Sequence, residues 1–90
     1  MNKNVIAYLI LHCNFFKNGR ATAEQLKEVI WAVSQEIVSL EEKNLRLFLM
    51  KSEAEIDEIQ FTLDDDSQNE KINLVVDKIL EQIKFLNDTI

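Results

Sequence analysis

Apolar residues along this chain recur at helical spacing, in three blocks separated by short polar turns. Val5, Leu9, His12 and Phe16 follow one another at four, three and four residues, which predicts a first helix over about 3–17 with these side chains inward. The run Val5-Ile6-Ala7-Tyr8-Leu9-Ile10-Leu11 makes that helix apolar around most of its circumference. Asn18-Gly19 ends it, because glycine takes the left-handed position after a helix without steric cost. Thr22-Ala23-Glu24-Gln25 then matches a capping box, in which a threonine hydroxyl and a glutamine side chain satisfy each other's backbone N–H groups.

The central block carries two stripes. Leu26, Ile30, Val33, Ile37, Leu40, Asn44 and Leu47 form the first, with Val29 and Phe48 beside it. Trp31, Val38, Leu45, Leu49, Ser52, Ile56, Ile59 and Leu63 form a second on another side, and it strengthens as the first fades near Lys51. This handover predicts one continuous helix over about 23–62, roughly 60 Å long at 1.5 Å per residue, whose halves face different neighbours. Two alternatives stay open: a break at Ser52-Glu53-Ala54-Glu55, itself a possible capping box, and a short strand at Ile59–Leu63.

Asp64-Asp65-Asp66-Ser67 reads as a polar turn, and Ser67-Gln68-Asn69-Glu70 as a further capping box. A last helix over about 68–88 follows, with Ile72, Val75, Val76, Ile79, Ile83 and Leu86 on its inner side. The pattern therefore specifies a single all-α domain spanning 1–90, with helices 3–17 and 68–88 folded back on a long central helix. Each half is then only a helix pair, which cannot enclose a core, so a dimeric helical bundle formed through the 23–62 faces is expected. With a break near Ser52, a monomeric four-helix bundle becomes possible instead.

Composition agrees with helices: proline is absent and Gly19 is the only glycine. Charge is divided unevenly. Residues 1–20 carry three bases and no acid (+3), and residues 21–90 carry seven bases and sixteen acids (−9), giving the net −6. An acidic body repels phosphate, so no nucleic-acid partner is expected, and three bases make a poor DNA-binding arm. The apolar run near the N-terminus is too short to span a bilayer, and Lys17 and Arg20 lie between it and Ala21-Thr22-Ala23, unlike a signal-peptide cleavage region. Neither membrane association nor secretion is expected. Cys13, being single, can make no intramolecular disulfide, which favours the cytoplasm.

Little in the chain suggests catalysis. His12 is the only histidine, so one copy has no two-histidine metal site, and its neighbour Cys13 points about 100° away around the helix. His12 is expected as a hydrogen-bonded core or interface residue, and Cys13 as a small hydrophobe. A calcium loop starting at Asp64 would need glycine at 69 and glutamate at 75, where Asn69 and Val75 stand. No enzyme activity, cofactor or metal is expected.

What is expected is protein binding. Trp31, Val38, Asn44, Leu45, Leu49 and Ile56 are the candidate interface residues, Trp31 as an aromatic anchor and Asn44 as an amide able to pair across a dimer axis. The leading expectation is a homodimeric, non-enzymatic regulator or inhibitor of the immunity, antitoxin-like or mobile-element type. The alternative is a secretion chaperone or assembly adaptor that shields an amphipathic helix of a client. Scattered around the helix axis, the carboxylates read as a solvated surface rather than as an imitation of nucleic acid.

Overall fold

Between Ile37 and Ser39 the chain leaves the helix that the central block predicts as continuous. The computed structural model describes residues 3–88, with side chains through Leu86. Its elements are α1 (Lys3–Lys17), α2 (Ala23–Glu36), a 3-10 turn (Leu40–Glu42), α3 (Lys43–Thr62) and α4 (Asp65–Asp88). The all-α class holds, whereas the unbroken central helix does not.

The two apolar stripes explain the break. On an unbroken helix, Ile37 and Leu45 lie eight residues apart and so about 80° apart around the axis, since each residue advances about 100°. One neighbour cannot cover both directions. By interrupting the helix, the chain turns each stripe to the same core: α2 buries Leu26, Ile30 and Val33, with Ile37 just past its end, and α3 buries Leu45, Leu49, Ser52 and Ile56. The abandoned continuation of the first stripe is left outside, with Leu40 89% and Leu47 50% exposed. What the periodicity presents as a handover between neighbours is a change of helix.

Local hydrogen bonds shape this turn. The buried Ser34 hydroxyl donates to the Trp31 carbonyl at 2.6 Å, competing with the helix ladder near its end. Ile37 is extended, and its N–H reaches only the Ser34 carbonyl at 3.3 Å. Ser39, also extended, accepts from the Glu41 N–H at 3.2 Å and starts the 3-10 turn.

The alternative break near Ser52 is absent. Ser52 lies inside α3, and its hydroxyl donates to the Phe48 carbonyl at 2.8 Å. Residues 59–62 also belong to α3, not to a strand.

Two terminal motifs match the sequence. Thr22 N–H donates to Gln25 Oε1 at 2.9 Å and Gln25 N–H to Thr22 Oγ1 at 3.1 Å, completing the capping box of α2. At the end of α1, Arg20 N–H reaches the Phe15 carbonyl at 2.8 Å and Gly19 N–H the Phe16 carbonyl at 3.1 Å, with Gly19 at φ +75°. These are the paired bonds of a Schellman motif. A Cβ added at Gly19 would meet nothing within 4 Å, so the cost of Gly19→Ala is backbone strain alone. That substitution is expected to remove about 1–2 kcal/mol of stability in chemical denaturation.

The last capping box is not formed as expected, because α4 begins at Asp65, ahead of Ser67. The Asp64 carbonyl accepts from both Ser67 and Gln68 N–H groups at 3.0 Å. Gln68 is used differently: its amide donates to the carbonyls of Leu63 at 2.9 Å and Gln60 at 3.4 Å, closing the end of α3 from the first turn of α4.

Each helix packs on the next in sequence, and α4 packs back on α1. The molecule measures 38 × 21 × 19 Å, with a radius of gyration of 12.7 Å, against about 12 Å for a compact chain of this length. It is therefore a four-helix bundle rather than the extended zigzag expected from a 60 Å central helix. Its core joins Ile6, Leu9 and Cys13 of α1 to the inner faces of the other three helices. Relative to the predicted inner face of α1, the helix is rotated so that Ile6 and Cys13 are buried, while Val5 and His12 are only half-buried.

Candidate functional site

The bundle divides the predicted interface residues into two groups. Leu45, Leu49 and Ile56 lie in the core of a single chain, so they face no partner, because the turn at 37–39 points the second stripe of α3 inward. Trp31, Val38 and Asn44 remain outside, Trp31 being 49% and Val38 83% exposed. Val38 and Leu40 flank Ser39 in the turn between α2 and the 3-10 helix, two large apolar side chains almost fully in solvent.

A second apolar surface lies on α1, which has no Lys, Arg, Asp or Glu from Asn4 to Phe16. Its inner side supplies core residues, yet Ala7, Tyr8 and Leu11 are exposed on the outer side. Tyr8, His12 and Phe15 form a row of rings, with centroids 4.4 Å apart at 55° and then 5.3 Å apart at 79°. Such tilted and edge-to-face contacts fix the rings in one arrangement. His12 is thus held by ring packing, with no hydrogen bond to it among the described residues, in place of the hydrogen-bonded role expected. Sequence reasoning noted the apolar circumference of this helix but assigned it only an inner face.

Alongside this row runs the groove between α1 and α2. One part, about 390 Å³, is lined by Asn4, Val5, Tyr8, Ala32, Val33 and Glu36. The next, about 270 Å³, includes Tyr8, His12, Phe15, Arg20, Glu28 and Val29. Tyr8 belongs to both and marks the middle. A more polar cleft of about 540 Å³ lies where α1 meets α2 and α3 meets α4, and two of its lining residues, Gln60 and Asn73, have a buried amide oxygen with no donor among the described residues.

Ion pairs tie the helices together on the outside. Lys17 of α1 pairs with Asp77 of α4. Lys27 of α2 meets both Glu24 and Asp57 of α3 at 3.0 Å. Burial opposes the charge on Lys27, whose side chain is 12% exposed, but the hydrogen bonds its ammonium donates to Asp57 and Glu24 outweigh this and raise its pKa above the ordinary lysine value.

Cys13, the single cysteine of the sequence, is fully buried. Burial pushes its thiol up to about 12 from 9.0, against the weaker opposing effect of the Lys17 charge. The thiolate is the reactive form, so native Cys13 is expected to resist alkylation at pH 8 and to react at the rate of global unfolding. The same shift predicts alkaline lability. The folded state keeps the thiol proton that the unfolded state gives up above 9.0, so stability is complete below that pH and declines up to about 12, by at most about 1.4 kcal/mol per pH unit. Denaturant melts of wild type and Cys13→Ala across pH 8–11 should show a steeper decline for wild type.

Among the described residues no group of three or more His, Cys, Asp or Glu side chains is placed to hold a metal ion, and no helix is long and apolar enough to cross a membrane. Comparison of the chain with family models, with curated proteins and with solved structures gives no match, so the outer faces of α1 and of the α2–α3 turn define the candidate site on their geometry alone.

Proposed function

We propose that this protein works by binding another protein, without covalent chemistry, as a homodimeric cytoplasmic regulator or inhibitor of the immunity, antitoxin-like or mobile-element kind. The observation that carries the reading is the pair Val38 and Leu40, 83% and 89% exposed at a turn whose hydrogen bonds hold it in shape. Apolar side chains that the fold has room to point at solvent, on a rigid support, are what a partner can bury at low entropic cost. Trp31 adds the residue type most often found at the energetic centre of an interface.

The test is purification of tagged wild type and of Val38→Asp/Leu40→Asp from the native cell. Wild type should retain a partner in fixed ratio. The double variant should lose it while keeping its helical circular dichroism and melting temperature. Equal retention by both proteins, or a partner held by neither, would defeat the reading. A secretion chaperone or assembly adaptor would instead offer the α1–α2 groove to a client helix, a reading favoured by the apolar lining of that groove.

A further inference from the structure

We propose that the outer face of α3 seats a second copy of this chain, the two α3 helices lying antiparallel about a two-fold axis beside Ala54. This rests on the homodimer put forward above and gives it a contact, on the side of α3 away from Leu45, Leu49 and Ile56.

Spacing builds the face. Leu47, Ala54 and Phe61 follow one another at seven residues, so each step turns only about 20° around the axis. They lie opposite Leu45, Leu49, Ser52 and Ile56, which are buried. Leu47 is 50% and Phe61 91% exposed, and Ala54 between them is exposed as well. Lys51 and Glu58, also exposed and seven residues apart, form one flank of this stripe. Neither of their side chains enters an ion pair among the described residues.

The order of charge along the helix selects a second copy. Lys43, Arg46 and Lys51 are the charges of α3 before Ser52, and all four charges from Glu53 to Glu58 are acids. That order opposes the helix dipole, which favours acids at the N-terminus and bases at the C-terminus, and α3 has neither an acid in its first turn nor a base in its last. An antiparallel copy compensates, because a two-fold axis across α3 exchanges its ends while keeping each flank on its own side, and so lays the basic half against the acidic half. The axis that sets Lys51 opposite Glu58 of the second copy crosses between positions 54 and 55, and the axis that sets Leu47 opposite Phe61 of the second copy crosses at Ala54. Apolar stripe and charged flank thus specify one register, in which each pair occurs twice. Glu53 and Glu55, the acids nearest the axis, lie about 100° from the centre of the face on opposite flanks, directed away from the contact.

Other occupants fit less well. A partner of one charge sign, acidic surface or basic peptide, meets its own sign along half of α3. Contact along one helix of 20 residues, about 30 Å, is at the small end of specific interfaces, so a dimer of micromolar affinity is expected.

Light scattering on the full chain at low salt decides the matter. The wild-type mass should rise with concentration from the 10.5 kDa of one chain to twice that value. Ala54→Arg, at an exposed helical site, sets a cation against its own copy and should give a monomer with its helical signal intact. Should that variant unfold, charge reversals give an independent reading. Lys51→Glu or Glu58→Lys alone places like charges together twice and should weaken association by about tenfold, whereas the two together, which leave the net charge unchanged, should restore it. Wild type that stays monomeric up to about 1 mM would overturn the proposal, and the dimeric state of the reading above with it. A dimer unaffected by a folded Ala54→Arg, or a double reversal no tighter than either single one, would overturn the α3 contact while leaving a dimer. Partner retention by the Val38–Leu40 turn is a separate measurement, so the two readings fail separately.

Discussion

Leu49→Ala is expected to lower the unfolding free energy by about 2–5 kcal/mol, while Leu40→Ala changes it by less than about 0.5 kcal/mol. Leu49 is fully buried on the inner face of α3, so truncation removes apolar contact and leaves a cavity that the surrounding helices only partly close. Leu40 stands in the 3-10 turn with 89% of its surface in water, so its methyl groups lose little when deleted. An unbroken helix over 23–62 implies a different order, because there Leu40 belongs to the core seam with Ile37 and Leu47. Thermal melts of the two variants suffice as a check. For a domain of this size each kcal/mol moves Tm by about 4–8 °C, so the pair should differ by about 6 °C or more. Equal shifts would mean that the helix break is wrongly placed.

A second pair of variants tests the same break through the backbone. Ser52→Pro should cost about 3 kcal/mol or more, since proline removes the N–H that bonds toward Phe48 and its ring collides with that carbonyl. The side chain is lost as well, with its 2.8 Å bond to the same carbonyl. Ser39→Pro should be tolerated. At φ −71° Ser39 already has the torsion that proline imposes, and its N–H donates to no backbone carbonyl among the described residues. Its expected cost is the lost bond to Glu41 N–H, about 1 kcal/mol, partly offset by a less flexible unfolded chain. Urea titrations that rank Ser39→Pro as the more damaging substitution would contradict the structure.

Where one helix ended in a motif that its own residues could complete, the sequence was sufficient. Asn18-Gly19 and Thr22–Gln25 needed no knowledge of the fold, because their hydrogen bonds close within four or five residues. The break at Ile37–Ser39 was less legible. Neither glycine nor proline marks it, and each side of it has good helical periodicity. Its only trace is the shift in phase between Ile37 and Leu45, which is equally the signature of a long helix with two neighbours. Choosing between these requires knowing that one core can receive both stripes, a tertiary fact. The same ambiguity covers Leu45, Leu49 and Ile56: the sequence shows that they are apolar but not which way they face, and the structure turns them into the core. Conversely, the outer side of α1 is legible in the composition of residues 4–16, which hold no Lys, Arg, Asp or Glu beside a periodic inner stripe.

The seam between α1 and α4 has a kinetic consequence. The other main pairings in the bundle join elements adjacent in the chain, whereas this one brings Lys17 to Asp77 across 60 positions. Closing this long separation costs more loop-closure entropy than closing any one of the neighbouring hairpins, which form over short distances and quickly. Folding should thus end with α4 docking on α1. In the native ensemble the amide hydrogens protected by that docking should exchange with solvent sooner than those in the α2–α3 hairpin.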